Sequence, residues 1–284
     1  MTIPSLADSV RELASTPAGT PLPVGAREIV TQLLDALERG ELRAAEKGDD
    51  GEWRAIPWVK QGILLAFRLG QIIDLSPGGE PRSFSFLDKD TMPPRQFSLS
   101  DGVRVVPGGS TVRRGAFLSP GVVCMPPMYV NVGSWVGAGT MIDSHALVGS
   151  CAQVGARVHL SAAAQIGGVL EPINASPVVI EDDVIVGGNC GVYEGTVVRQ
   201  GAVLGAGVVL TRGTPVFDLV HERVYRGSAS HPLVIPADAV VVPGARRVRG
   251  AYAEAEGISV QTPVIVKYRD DKTDLATTLE AWLR

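Results

Sequence analysis

Asp143, in the stretch MIDSH, and Glu194, in VYEG, are two carboxylates set close to the apolar residues Ile142 and Val192. A positioned carboxylate can take a proton from a reacting group and return it; an unsupported one is a solvated turn residue. Other chemistry is poorly served. The four histidines, His145, His159, His221 and His231, have no spacing that would converge three imidazoles on zinc. His145 stands beside Asp143 and is a second candidate base. The three cysteines, Cys124, Cys151 and Cys190, form no short pair, which argues against a disulfide framework or a thiolate metal site. They read as small buried hydrophobes in a reducing compartment.

Composition narrows the class. Charged residues make up 20% of the 284 and the net charge is −4, so no global basic field exists to hold nucleic acid. The opening MTIPSLADSVRELAS lacks a cationic start followed by an apolar core, and no run of about 18 apolar residues occurs, so neither a signal peptide nor a membrane span is expected. The expected location is cytoplasmic. Aromatic residues are only 5% against 33 glycines, a mix that suits a β-rich repeat with narrow turns.

That repeat is visible. Apolar residues fall every six positions from Val106 through Val112, Leu118, Cys124, Val130, Val136, Ile142, Val148, Val154 and Leu160 to Ile166. The period resumes at Ile180 and continues through Val186, Val192, Val198, Leu204 and Leu210 to Val216, and none of these residues is charged. Four residues after many of them stands a small side chain, such as Ala116, Ser134, Thr140, Ala146, Ala152 or Ala164. A period of six is neither helical nor strand-like, and fixed-period self-similarity marks a repeat architecture. With one short strand and turn per hexad, three hexads close a triangular coil, and stacked coils bury the large residues inside a prism. The expected fold is mainly β, a left-handed parallel β-helix, an exception to the usual crossover hand. The step of fourteen from Ile166 to Ile180 reads as two hexads plus a two-residue insertion within 167–179.

Flanking segments follow other patterns. Ile29, Leu33, Leu34 and Leu37 are spaced for a helix, with Gly40 either ending it or starting a second short one, and Pro57 suits the first turn of a helix over WVKQGILLAFRLG, although a strand is not distinguished there. Residues 76–95 read as irregular. These features predict a mostly helical N-terminal domain over 1–100, the β-helix over 101–218, and C-terminal strands over 219–284. Thr273 to Leu283 closes that extension as a short helix, and Val240 to Val242 echo the coils.

The polar residues carried by the repeat resemble a known family. RVVPGG, VRRGAF, MYVNVGSWVGAGTMIDSHALVGSCAQVGARVHLS, QIGGVLEP, IEDDVIVGG and VYEGTVV are similar to motifs of the tetrahydrodipicolinate N-succinyltransferase family, and ALERGELRAAEK and WVKQGILLAFRL resemble its N-terminal domain. The resemblance spans roughly residues 26 to 270. It implies succinyl transfer from succinyl-CoA to the amine of a ring-opened keto-dicarboxylic amino acid in lysine and diaminopimelate synthesis, by a homotrimer with active sites between prisms and no metal or prosthetic group. The chain departs from the family pattern at Ser144-His145, where an aromatic is common, and in GGSTV, MPPMYV and GSASHPL.

Amide formation from a thioester needs a neutral amine, a base and help for the oxyanion. The resemblance puts Asp143 and Glu194 in catalysis. One would act as base for the amine and the other in proton transfer during ring hydration, unless Glu194 attacks the thioester itself. Counted by hexads the two lie on different faces, so they would meet only between chains. Arg104, in GVRVVPGG, is the candidate for a substrate carboxylate together with Asp143, because a guanidinium forms two parallel hydrogen bonds to that group. Arg113 and Arg114 are weaker candidates because adjacent strand residues point opposite ways. Ser161, Gly168, Gly188, Gly205 and Ala206 are expected to line a CoA groove, with Arg212 meeting a phosphate and Glu171 either lining the cleft or projecting into solvent. Three readings compete with this one: a hexapeptide acetyltransferase using His145, a paralogue acting on a related amino-dicarboxylate, and a non-catalytic scaffold.

Overall fold

A computed structural model describes residues 2–76 and 85–269. From residue 111 to residue 210 the backbone runs in strands of two residues each, stacked in parallel ladders. Partners lie eighteen residues apart over most of the stack, as in Phe117↔Trp135 and Met141↔His159. Three hexads therefore close one coil. Val112, Val130, Val148, Ile166, Val192 and Leu210 line the first face of the prism from inside. Leu118, Val136, Val154, Ile180, Val198 and Ile235 line the second, and Cys124, Ile142, Leu160, Val186, Leu204 and Val241 the third. All are buried and form one continuous core with the small residues Ala116, Ala146, Ala152 and Ala164. The turns share one device. The third residue after most of the large ones has positive φ, supplied by glycine at Gly115, Gly133 and Gly139 and tolerated by His145, Cys151 and Arg157.

Three details of the repeat differ from the sequence reading. Strand Val179–Ile180 on the second face directly follows Gln165–Ile166 on the first, so the loop 167–178 replaces one corner and carries eight extra residues, not two. A six-residue period cannot distinguish the two counts, because a whole extra hexad preserves the phase. At the start, Val105 rather than Val106 is in register with Cys124, since VPGGS is one residue longer than a standard turn. At the end, Val216 is buried but belongs to a hairpin, Val216–Asp218 with Arg223–Tyr225, and the coil resumes at Val234–Ile235. The final strand pair is Ala239–Arg247 with Ser259–Tyr268. The helix expected over Thr273 to Leu283 lies outside the described residues, as do residues 77–84 of the stretch read as irregular.

Ahead of the prism, α1 (Ile3–Ala14), α2 (Ala26–Glu38) and α3 (Pro57–Leu69) pack through Val10, Leu33, Leu34 and Ile63. α1 is an element beyond those expected from sequence; its Leu6, Val10 and Leu13 are spaced for one face. Val132 and Cys151 of the prism join this helical core, and Glu38 accepts from Gly115 N at 2.8 Å. Arg113 pairs with Asp88 and Arg114 with Asp35, so both arginines fasten the N-terminal domain to the prism. Among the described residues no helix is long and apolar enough to cross a membrane.

The hairpin and last strand are held by Asp218. Its buried carboxylate accepts from Tyr268 Oη at 2.8 Å and from the backbone of Val220 and His221, and meets His221 Nδ1 at 2.9 Å. Burial works to raise its pKa, but these hydrogen bonds win and hold it at about 2. A depressed carboxylate pKa stabilises the fold above the ordinary aspartate value near 3.9, and the contribution is lost as pH falls toward 2. Asp218→Asn is therefore expected to cost about 2 kcal/mol at pH 7. In thermal melts, the gap between wild type and variant should narrow as pH drops below about 4.

Candidate active site

Stacking sorts the candidate residues into two columns. Ile142, Leu160, Val186 and Leu204 lie one above another on the third face, so the residues after them, Asp143, Ser161, Gly187 and Gly205, form a column at the corner between the third and first faces. Gly188 and Ala206 come one residue later in the same corner. Ile166, Val192 and Leu210 are stacked likewise, which places Gly168, Glu194 and Arg212 in a column between the first and second faces. The two carboxylates thus occupy different corners on either side of one face. Val192 follows Ile142 by seven strands rather than the eight hexads counted with a two-residue insertion. Neither count is a multiple of three.

Asp143 is about one-third exposed, and its Oδ1 accepts from Ser144 N at 2.7 Å. The histidine that approaches it is His159, one coil further on, with Nε2 at 4.0 Å from Oδ2 and the ring mostly buried. His145, adjacent in sequence, is instead an exposed turn residue with φ 63°. His159 went unmarked because sequence adjacency hides it, although the eighteen-residue register, Met141↔His159, points straight to it.

Glu194 is exposed, and its Oε2 accepts from Arg212 N at 3.0 Å. Its backbone is unusual within the prism. The residues stacked with it, Gly168 and Arg212, have ordinary φ, whereas Glu194 has φ 55° and is followed by Gly195 at 74°. A side chain held in the left-handed region costs roughly 1–2 kcal/mol, and such strain gathers at functional sites.

The other candidates have mixed settings. A Cβ on Gly168 would lie 2.6 Å from Ser150 N, so packing alone demands glycine there; Gly188 and Gly205 are tight, with Cβ contacts of 3.3 and 3.2 Å, but not excluded. Ser161 N donates to Val186 O within the ladder, and Ala206 is exposed. Arg104 is exposed on the third face, two coils before Asp143's strand, about 10 Å along the axis. It has no ion-pair partner among the described residues. Glu171 is exposed in the loop 167–178. That loop is tied down by Lys60 of α3, a fully buried lysine that donates to Ala175 O at 2.6 Å and whose pKa is lowered by burial. The sequence reading missed Lys60, which looks like an ordinary polar position in an amphipathic helix.

With this geometry in view, comparison with known proteins is decisive. Residues 14–69 match the family model for the tetrahydrodipicolinate N-succinyltransferase N-terminal domain, and residues 177–212 match the hexapeptide repeat of succinyl-transferase. The 2,3,4,5-tetrahydropyridine-2,6-dicarboxylate N-succinyltransferase of Bradyrhizobium diazoefficiens is 43% identical over 265 residues, covering 91% of this chain and 90% of that protein. Enzymes of the same name from Nitrobacter winogradskyi and Idiomarina loihiensis are each 42% identical over 91% of this chain and 90% and 89% of theirs. The chain belongs to the tetrahydropyridine-dicarboxylate N-succinyltransferase family. Its members are acyltransferases, and the three-sided prism described above is their hexapeptide-repeat architecture.

The strain at Glu194 yields a direct test. Glu194→Gly and Glu194→Ala both remove the carboxylate, but only glycine relaxes the left-handed backbone. The glycine variant should be more stable by about 1 kcal/mol in chemical denaturation; an alanine variant of equal or greater stability would show that the position carries no strain.

Proposed function

We propose that the protein transfers the succinyl group of succinyl-CoA to the amine derived from tetrahydrodipicolinate, giving N-succinyl-2-amino-6-oxopimelate and free CoA, a step of diaminopimelate and lysine synthesis. The observation that carries this reading is identity above 40% over nine-tenths of both chains with enzymes of that name. The two carboxylate corners flanking one face of the prism support it. In a homotrimer, the Asp143 corner of one prism and the Glu194 corner of the next would line a shared groove. The substrates are small molecules, with no nucleic acid or membrane partner. Three buried free cysteines and a CoA substrate suit a reducing cytoplasm.

The chemistry then divides among residues of this chain. Water adds to the cyclic imine and the ring opens, leaving a primary amine and a ketone. One carboxylate takes the proton as the amine attacks the thioester carbonyl, and the C–S bond breaks as the amide forms, the thiolate leaving as CoA. Asp143, supported by Ser144 N and with His159 close behind it, fits the base that faces the amine; Glu194 fits the hydration and ring-opening steps. Arg104 would take a substrate carboxylate with two parallel hydrogen bonds. Ser161, Gly188, Gly205 and Ala206 line Asp143's corner, where small side chains let a pantetheine arm approach the backbone. Gly168 and Arg212 share Glu194's corner, so they would reach CoA from the neighbouring prism.

Steady-state rates with tetrahydrodipicolinate and each CoA thioester test this reading. Succinyl-CoA should be strongly preferred to acetyl-CoA, and Asp143→Ala and Glu194→Ala should each lower turnover by about 100-fold or more with folding intact. Near-normal turnover in either variant removes that residue from the mechanism. An acetyl preference would replace the donor.

A further inference from the structure

The corner between the second and third faces carries none of the proposed catalytic residues, yet it holds a cavity of about 440 Å³. Its floor is the small-residue column Ser119, Gly137, Ala138, Gly155 and Ala156, and its wall is the N-terminal hairpin Ala45–Lys47 with Trp53–Ala55. Arg43 enters from the hairpin side and lies over two indoles, 4.2 Å from the ring of Trp135 and 5.2 Å from that of Trp53. Its Nε donates to Gln153 Oε1 at 2.9 Å. Among the described residues no carboxylate comes within ion-pair distance of this guanidinium, and its two Nη groups have no hydrogen-bond partner. Burial lowers its pKa to about 10. This half-buried guanidinium feels Glu46 and Asp182 only from beyond ion-pair distance, so its unengaged Nη fork is open to an anion.

The opposite charge is present in the same cavity but is divided unequally. Glu181 is fully engaged, accepting from Lys47, Trp53 Nε1, Arg199 and Gln200 N. Asp182 is half exposed; Oδ1 accepts from Ala156 N at 2.9 Å, and Oδ2 lies 3.6 Å from Arg157, which pairs more closely with Asp183 at 2.7 Å. The ionised lining therefore balances, with Arg43 and Lys47 against Glu181 and Asp182. A plain anion would gain Arg43 and be repelled by Asp182, and a plain cation the reverse. We propose that this cavity binds a free α-amino acid as its zwitterion, the carboxylate on the Arg43 fork, the ammonium toward Asp182 and the aliphatic stem against Trp53 and Trp135. The site is separate from the succinyl-transfer groove and does not depend on that reading.

Calorimetric titration of the full-length protein with L-norvaline, acetate and n-propylamine tests the assignment. L-Norvaline should bind saturably and at least about tenfold more tightly than either half-molecule, because each half forfeits one charge pair and meets one repulsion. Asp182→Asn keeps an acceptor for Ala156 N and should weaken L-norvaline about tenfold or more while succinyl transfer stays at the wild-type rate; Asp143→Ala should leave this binding unchanged. The proposal is overturned by absence of saturable L-norvaline binding, by acetate binding equally well, or by binding that survives Asp182→Asn and disappears in Asp143→Ala.

Discussion

The interior of the prism is filled by close-packed apolar side chains, mostly aliphatic with Cys124 and Cys190 among them. Each coil puts three large residues, one per face, into a space already filled by the coils above and below, as Val136, Ile142 and Val148 do at zero exposure. No substrate can enter such a core, and no polar group can be hidden there without a partner. Chemistry is confined to the corners, where the chain turns and side chains project. Position along the axis then follows from a ladder in which eighteen residues return to the same corner. Asp143 and Glu194 are held apart for the same reason. They sit on opposite edges of the first face with the core between them, so the proposed site needs a corner from another prism.

Against this rigid frame, a few groups sit in costly settings. Glu194 holds a left-handed backbone where its stacked neighbours do not. Lys60 is buried in full to reach one carbonyl of the loop 167–178, beside the corner that carries Gly168 and Glu194. Arg43 is packed between two indoles without a carboxylate. Asp218, by contrast, recovers its burial cost through four hydrogen-bond contacts and ties the last strands to the prism. Strain and unpaired charge therefore appear at corners and at the junction with the N-terminal domain, while the stacked core shows neither.

The fold was readable from sequence because packing permits so little at the inward positions. One large apolar residue in six leaves a pattern that survives without any alignment, and Asp143 and Glu194 stand out as acids placed against it. What stayed hidden involves relations that a period cannot encode. Eight extra residues in the loop 167–178 and two extra residues share the same phase, so only the ladder Gln153↔Val179 separates them. Val106 fits the period yet lies outside the register, because VPGGS gains one residue in its turn. His159 meets Asp143 through stacking, not adjacency. Arg113 and Arg114 are ion-paired to Asp88 and Asp35, long-range contacts that no local spacing announces. Sequence alone places the CoA candidates in one groove; the register divides them between two corners, four with Asp143 and two with Glu194.

The central claim, that acid groups from separate chains complete each site, is tested most directly by subunit mixing. Asp143→Ala and Glu194→Ala proteins, each inactive alone, are unfolded, mixed in equal amounts and refolded together. If each site draws Asp143 from one chain and Glu194 from its neighbour in a closed trimer, random assembly restores about a quarter of the wild-type rate. Hybrids that assemble normally and remain as inactive as their parents would contradict the account.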